Sequence, residues 1–175
     1  NKKKRKELQK NDLKNFYLTD SYISKKIDTI RDSFKKKPEL KTQRLKILHI
    51  TNFNERHNGR LFFNSGRRIN NGFIRLNHSV LTISDRDIQS YHRSLKDLDG
   101  SQKLNSKLIE TISNYVPDII ALGHADLIDI KTLKFIKENY PKIKITQWFL
   151  DKMTEEWKRN KKRFLDKIDL MDCNF

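Results

Sequence analysis

The feature that most constrains the fold is an abrupt change of character at residue 51. Leu45-Lys46-Ile47-Leu48-His49-Ile50 is a β-branched and leucine run that predicts a short strand. It breaks into Thr51-Asn52-Phe53-Asn54-Glu55-Arg56-His57-Asn58-Gly59, where almost every side chain can hydrogen-bond. Phe62, Ser65, Ile69, Phe73 and Leu76 then recur at helical spacing, and Val80-Leu81-Thr82-Ile83 predicts a second buried strand. A crossover of this length cannot be a hairpin, so the two strands are expected to be parallel and the connection right-handed. Gly66 and Gly72 are expected where the helix lies close against the sheet.

The alternation continues to the end of the chain. Residues 88–100 read as a polar loop closed by Asp99-Gly100, and Ser101 is placed to cap a helix carrying Leu104, Leu108, Ile109, Ile112 and Tyr115, stopped by Pro117. Asp118-Ile119-Ile120-Ala121-Leu122 predicts a third strand. A helix with Leu133, Ile136 and Tyr140 on one face follows, and then a fourth strand at Lys144-Ile145-Thr146-Gln147-Trp148-Phe149. A basic helix over residues 155–167 leads to Ile168-Asp169-Leu170-Met171-Asp172, the approach to a fifth strand. Strands alternating with helices predict an α/β domain over residues 45–175, an open, mostly parallel Rossmann-like three-layer sheet.

Residues 1–44 form a separate, basic, partly helical N-terminal extension. Its first 14 residues are lysine-rich without apolar periodicity, and partial disorder is expected there. From residue 20 to 37, Ile23, Ile27, Ile30 and Phe34 mark an amphipathic helix terminated by Pro38. Charge follows the same division. The formal net charge is +16, but residues 1–46 hold 16 Lys and Arg against 6 Asp and Glu, while residues 47–175 hold 22 against 16. Most of the excess is therefore outside the α/β pattern, and nucleic acid is not indicated as the partner of the domain itself. The single Cys173 excludes an intrachain disulfide. No metal-ligand pair stands out, and no run approaches the ~18 apolar residues of a membrane span. A cytoplasmic location is expected, with peripheral contact to the inner membrane surface open to the basic extension. A start at Asn1 and an end at Phe175 within an apolar stretch suggest a piece of a longer chain.

Ligands of open α/β sheets bind outside the carboxyl ends of the strands. Here those ends carry Asn52, Asn54, Glu55, His57, Gly59 and Arg60 after the first strand, Asp85 and Arg86 after the second, His124 and Asp126 after the third, and Asp151 after the fourth. The first loop feeds a helix N-terminus, where free amide N–H groups favour an anion. His124 follows a glycine in a position to take a proton from a hydroxyl, with Asp126 or Asp151 to orient it or to serve instead. Neither G-x-G-x-x-G nor G-x-x-x-x-G-K-[ST] is present, so no nicotinamide cofactor or ATP is indicated.

The segment Lys46 to Asn52, its polar loop with Gly59, and Gly72-Phe73-Ile74-Arg75-Leu76-Asn77-His78-Ser79-Val80 resemble the opening of GT-B glycosyltransferases. That family carries a leucine-glycine-histidine-x-valine turn into its second strand, and Asn77 replaces the glycine here. Pro117-Asp118-Ile119-Ile120-Ala121 is similar to the family's third strand, and Gln147-Trp148-Phe149-Leu150-Asp151 to the fourth strand of its spore-maturation-protein-like branch. The resemblance implies the N-terminal, acceptor-side half of a two-domain enzyme that transfers a sugar from a nucleotide sugar to a glycan, lipid or protein hydroxyl. It implies a donor site mostly in a C-terminal domain outside this sequence, no cofactor beyond the donor, and no obligatory metal. His124 and Asp126 would be the candidate bases, and the other exit-loop residues would bind substrate.

One rival reading is a non-catalytic α/β interaction domain whose basic arm docks on nucleic acid or acidic membrane. A receiver-like phosphoacceptor domain fits less well, because the third strand ends in Gly123-His124 rather than an aspartate.

Overall fold

The computed structural model describes residues 20–35 and 43–175, apart from residues 96, 126, 153, 155 and 157. Chain contacts divide it into two compact units, residues 1–42 and 43–175. In the first, helix α1 (Asp20–Lys35) carries Ile23, Ile27 and Ile30 on one face, each roughly half exposed. An Arg31–Asp28 ion pair of 2.8 Å lies on its surface.

The second unit is built on five strands: β1 (Lys46–Thr51), β2 (Ser79–Ser84), β3 (Ile119–Gly123), β4 (Lys144–Trp148) and β5 (Cys173–Asn174). They lie in the order β2-β1-β3-β4-β5, and every pairing is parallel. Between them run α2 (Ser65–Arg75), α3 (Asp85–Tyr91), α4 (Ser101–Tyr115), α5 (Ile130–Asn139) and α6 (Lys158–Leu165). β1 is buried on both faces from Ile47 to Thr51, as a central strand must be. β2, at the edge, leaves Leu81 and Thr82 exposed.

Residue parity assigns the layers. Leu48 and Ile50 of β1 join Ile120, Leu122 and Ile145 in one apolar cluster with Leu104, Leu108 and Ile112 of α4 and Leu133 and Ile136 of α5. Ile88 of α3 belongs to the same cluster, and the Gln147 side chain donates to the Phe164 carbonyl of α6 at 3.3 Å. The opposite face, carrying His49 and Thr51, meets α2, where His49 Nδ1 lies 3.2 Å from Asn70 Oδ1. The result is a doubly wound three-layer sheet. The chain leaves β1 toward β2 and leaves β3 toward β4, so the connections diverge between β1 and β3.

Two glycines beside the central strands are required by close approach. A Cβ on Gly66 would stand 2.6 Å from Thr51 Cγ2, so the first turn of α2 rests directly on β1. A Cβ on Gly123 would overlap the Trp148 indole and stand 2.8 Å from Thr51 Oγ1. The register aligns Thr51, Gly123 and Trp148 across three strands, and the indole lies over the gap that Gly123 leaves.

Several local expectations are corrected. Gly72 has nothing within 4 Å of its Cβ position, so it makes no close approach. Phe62 precedes α2, which begins at Ser65. Residues 85–91, of which 88–91 were assigned to a polar loop, form α3. Its apolar content is only Ile88 and Tyr91, too little for periodicity to register, and Asp85 and Asp87 instead favour a helix start. The residue flanking α4 is Gly100 at φ 72°, not Ser101, and Asp97 and Asp99 accept from the first-turn amides. The approach to the fifth strand is as expected: Ile168–Leu170 is a 3-10 turn, and β5 begins at Cys173. Asn77, at the position where the resemblance has glycine, adopts φ 66°.

Candidate functional site

The divergence point opens as a crevice of about 270 Å³ at the carboxyl ends of β1, β3 and β4. Thr51 and Asn52 form one wall, Asn64, Ser65 and Gly66 the next, and His124, Trp148, Leu150 and Asp151 the third, with Arg86 at the rim. Asn64 caps α2: its Oδ1 accepts from the Arg67 amide at 2.9 Å, while its Nδ2 ties back to the Phe53 and Leu61 carbonyls. The amides of the first turn at Ser65 and Gly66 therefore border the crevice at the positive end of the helix dipole. Trp148 lines the same space, and its buried indole N–H has no acceptor among the described residues.

His124 is held with unusual definition. Its backbone is left-handed at φ 50°, and its amide donates to the Trp148 carbonyl at 3.3 Å. The ring stacks on Phe149 with centroids 4.3 Å apart. The Leu150 amide donates to Nε2 at 3.0 Å, so that nitrogen is the acceptor and Nδ1 carries the proton of the neutral ring. Nδ1 lies 3.4 Å from Asp151 Oδ2, and the Asp151 side chain is 60% exposed. The pair is thus an imidazole that orients a solvent-facing carboxylate.

The exit of β2 is organised by Asp87, a residue that sequence reasoning passed over. It is buried, and it accepts from the Ser84 hydroxyl, from the Glu55 amide at 2.8 Å, and from Arg56 Nη1 at 2.6 Å. Burial acts to raise its carboxyl, but these donors outweigh it and hold the group below the usual carboxylate range. Arg56 Nη1 also donates to Asn52 Oδ1 at 3.1 Å, which locks the β1 loop to the start of α3.

The predicted residues therefore separate. Asn52, Arg86, His124 and Asp151 meet around one crevice. Asn54 shapes the loop at φ 59°, and Glu55 contributes its amide to Asp87 while its side chain faces solvent. His57, Gly59 and Arg60 lie farther along the loop and do not border the crevice. Asp85 is fully buried, with its Oδ1 accepting from the Arg86 amide, a structural position at the start of α3. Asp126 lies outside the described residues. Sequence reasoning did not single out Asn64, Ser65 and Gly66 as site residues, because their place at the crevice depends on where α2 begins, nor Trp148, because an aromatic within a strand carries no signal beyond burial.

Among the described residues no three His, Cys, Asp or Glu side chains gather as a metal site, and no helix is long and apolar enough to cross a membrane. Fold and crevice together define a doubly wound α/β domain with a crevice at its topological switch point, the place where open α/β sheets bind their ligands. No protein-family model matches the chain, and no curated protein matches it.

Proposed function

We propose that residues 43–175 form the acceptor-side domain of a glycosyltransferase, which moves a sugar from a nucleotide-sugar donor to a hydroxyl acceptor. On this reading a second domain holds most of the donor. The observation that carries the proposal is the oriented His124–Asp151 pair, set in the switch-point crevice beside the first turn of α2. The sequence resemblance to GT-B enzymes adds the reaction class.

In this reading Asp151 is the base. The Leu150 amide occupies the lone pair on Nε2, so His124 has no ready site for a substrate proton, whereas the Asp151 carboxylate faces solvent. The acceptor O–H proton passes to Asp151 as the oxygen attacks the anomeric carbon. The bond from that carbon to the nucleoside diphosphate breaks, and the diphosphate leaves with the electron pair. The α2 amides stabilise negative charge on the leaving side.

The test is transfer or hydrolysis of radiolabelled nucleotide sugars by the full-length protein and by Asp151→Asn. Turnover is expected to fall ~10²-fold or more in the variant. Failure to consume any donor, or an unchanged rate in Asp151→Asn, overturns the proposal.

A further inference from the structure

Beside the crevice, on the α3 and α6 side of the same sheet edge, lies a second and wider groove of about 360 Å³, a volume in the range of small-ligand sites. Four arginines line it: Arg56 from the β1 loop, Arg86 and Arg93 from α3 and the turn after it, and Arg163 from α6. Gln89 and Ser90 add polar groups. We infer that this arginine groove binds a diphosphate group, carried by a soluble nucleotide or by a lipid headgroup.

Two features distinguish the groove from a merely solvated basic face. The first is convergence, because the four arginines come from three separate parts of the chain and line one concavity. Side chains fanning out along one helix would not. The second is preorganisation. Arg56 is clamped by Asp87 at 2.6 Å and Asn52 at 3.1 Å, so its planar fork is fixed before any ligand arrives. A guanidinium binds phosphate oxygens through two parallel N–H donors, and several around one space suit a group with two linked phosphates better than a single compact anion. Arg86 borders both the groove and the crevice, so a diphosphate held here would be adjacent to the His124–Asp151 pair.

The inference takes from the proposed transfer reaction only the placement of the ligand edge, and it is tested by binding rather than turnover. Pyrophosphate is titrated calorimetrically into the full-length protein at fixed ionic strength, with sulfate in parallel. Wild type is compared with Arg86→Gln/Arg93→Gln, whose positions are exposed, and with Arg163→Gln on a separate helix. Saturable pyrophosphate binding is expected, weakened ~10-fold or more in the double variant and weakened again in Arg163→Gln, with circular dichroism unchanged. UDP and farnesyl diphosphate present the same group on a nucleoside and on an isoprenoid, and the tighter of the two identifies the source. Absence of saturable binding, equal affinity for sulfate, or undiminished affinity in both folded variants overturns the inference. Transfer activity without pyrophosphate binding rejects the groove alone, and binding without transfer rejects the enzymatic reading alone.

Discussion

His49 makes a quantitative prediction about acid stability. It sits in the middle of β1, fully buried, with its ring edge-on to Phe53 and Phe73 at 5.4 Å centroid separation and 6.2 Å from the Trp148 ring. Asn70 Oδ1 accepts from Nδ1, so Nε2 presents its lone pair to an apolar wall and has no partner among the described residues. Burial lowers the pKa from 6.5 to about 4, with the Asn70 hydrogen bond opposing the shift. The sign follows directly. Above pH 6.5 the ring is neutral in both states. Below it the unfolded chain takes up a proton that the folded chain refuses, and stability falls until the pH passes the folded value near 4. At about 1.4 kcal/mol per pK unit, the full loss is on the order of 3 kcal/mol, of which roughly 2 has accrued by pH 5. The measurement is urea unfolding of wild type and His49→Gln at pH 7, 6 and 5. Gln keeps a polar side chain without titrating, and the other histidines are common to both proteins. The wild-type curve is expected to drop about 2 kcal/mol more than the variant between pH 7 and 5. Parallel curves would refute the assignment of a neutral, proton-excluding imidazole at this position.

Asp87→Asn removes the acceptor that gathers Ser84, Glu55 and Arg56, and is expected to cost about 3 kcal/mol by leaving a partly buried guanidinium unmatched. Because its carboxyl is held low, that stabilisation is present above the ordinary carboxylate value and lost as pH falls beneath it. The variant should therefore lack the corresponding acid limb in unfolding curves. Gly123→Ala forces a methyl into the Trp148 indole and is expected to destabilise by on the order of 2 kcal/mol. Gly72→Ala, in open space within α2, should instead stabilise by roughly 0.5–1 kcal/mol, and thermal melts of the two alanine variants check both signs.

The sequence alone determined where the strands and most helices lie and that the sheet is parallel, because those facts are written in short-range periodicity. An apolar run bounded by polar residues, followed by a helical repeat too long for a hairpin, leaves little choice at Ile47–Ile50, Ile119–Leu122 and Ile145–Trp148. It likewise pointed to the strand exits as the place to look for a site, and the structure places Asn52, Arg86, His124 and Asp151 around one crevice there. Short or weakly apolar elements escaped it, as α3 did with only Ile88 and Tyr91 to mark it. Tertiary structure decided everything that depends on strand order. With β3 placed beside β1, Gly123 comes next to Thr51, the indole of Trp148 settles over Gly123, and His124 is turned toward Asp151 by the Leu150 amide. The same packing buries His49 in what reads as an ordinary strand and brings Arg56, Arg86, Arg93 and Arg163 around one groove. These contacts join residues from 7 to more than 100 positions apart, and the longer ones are set by how layers pack, which no local pattern records.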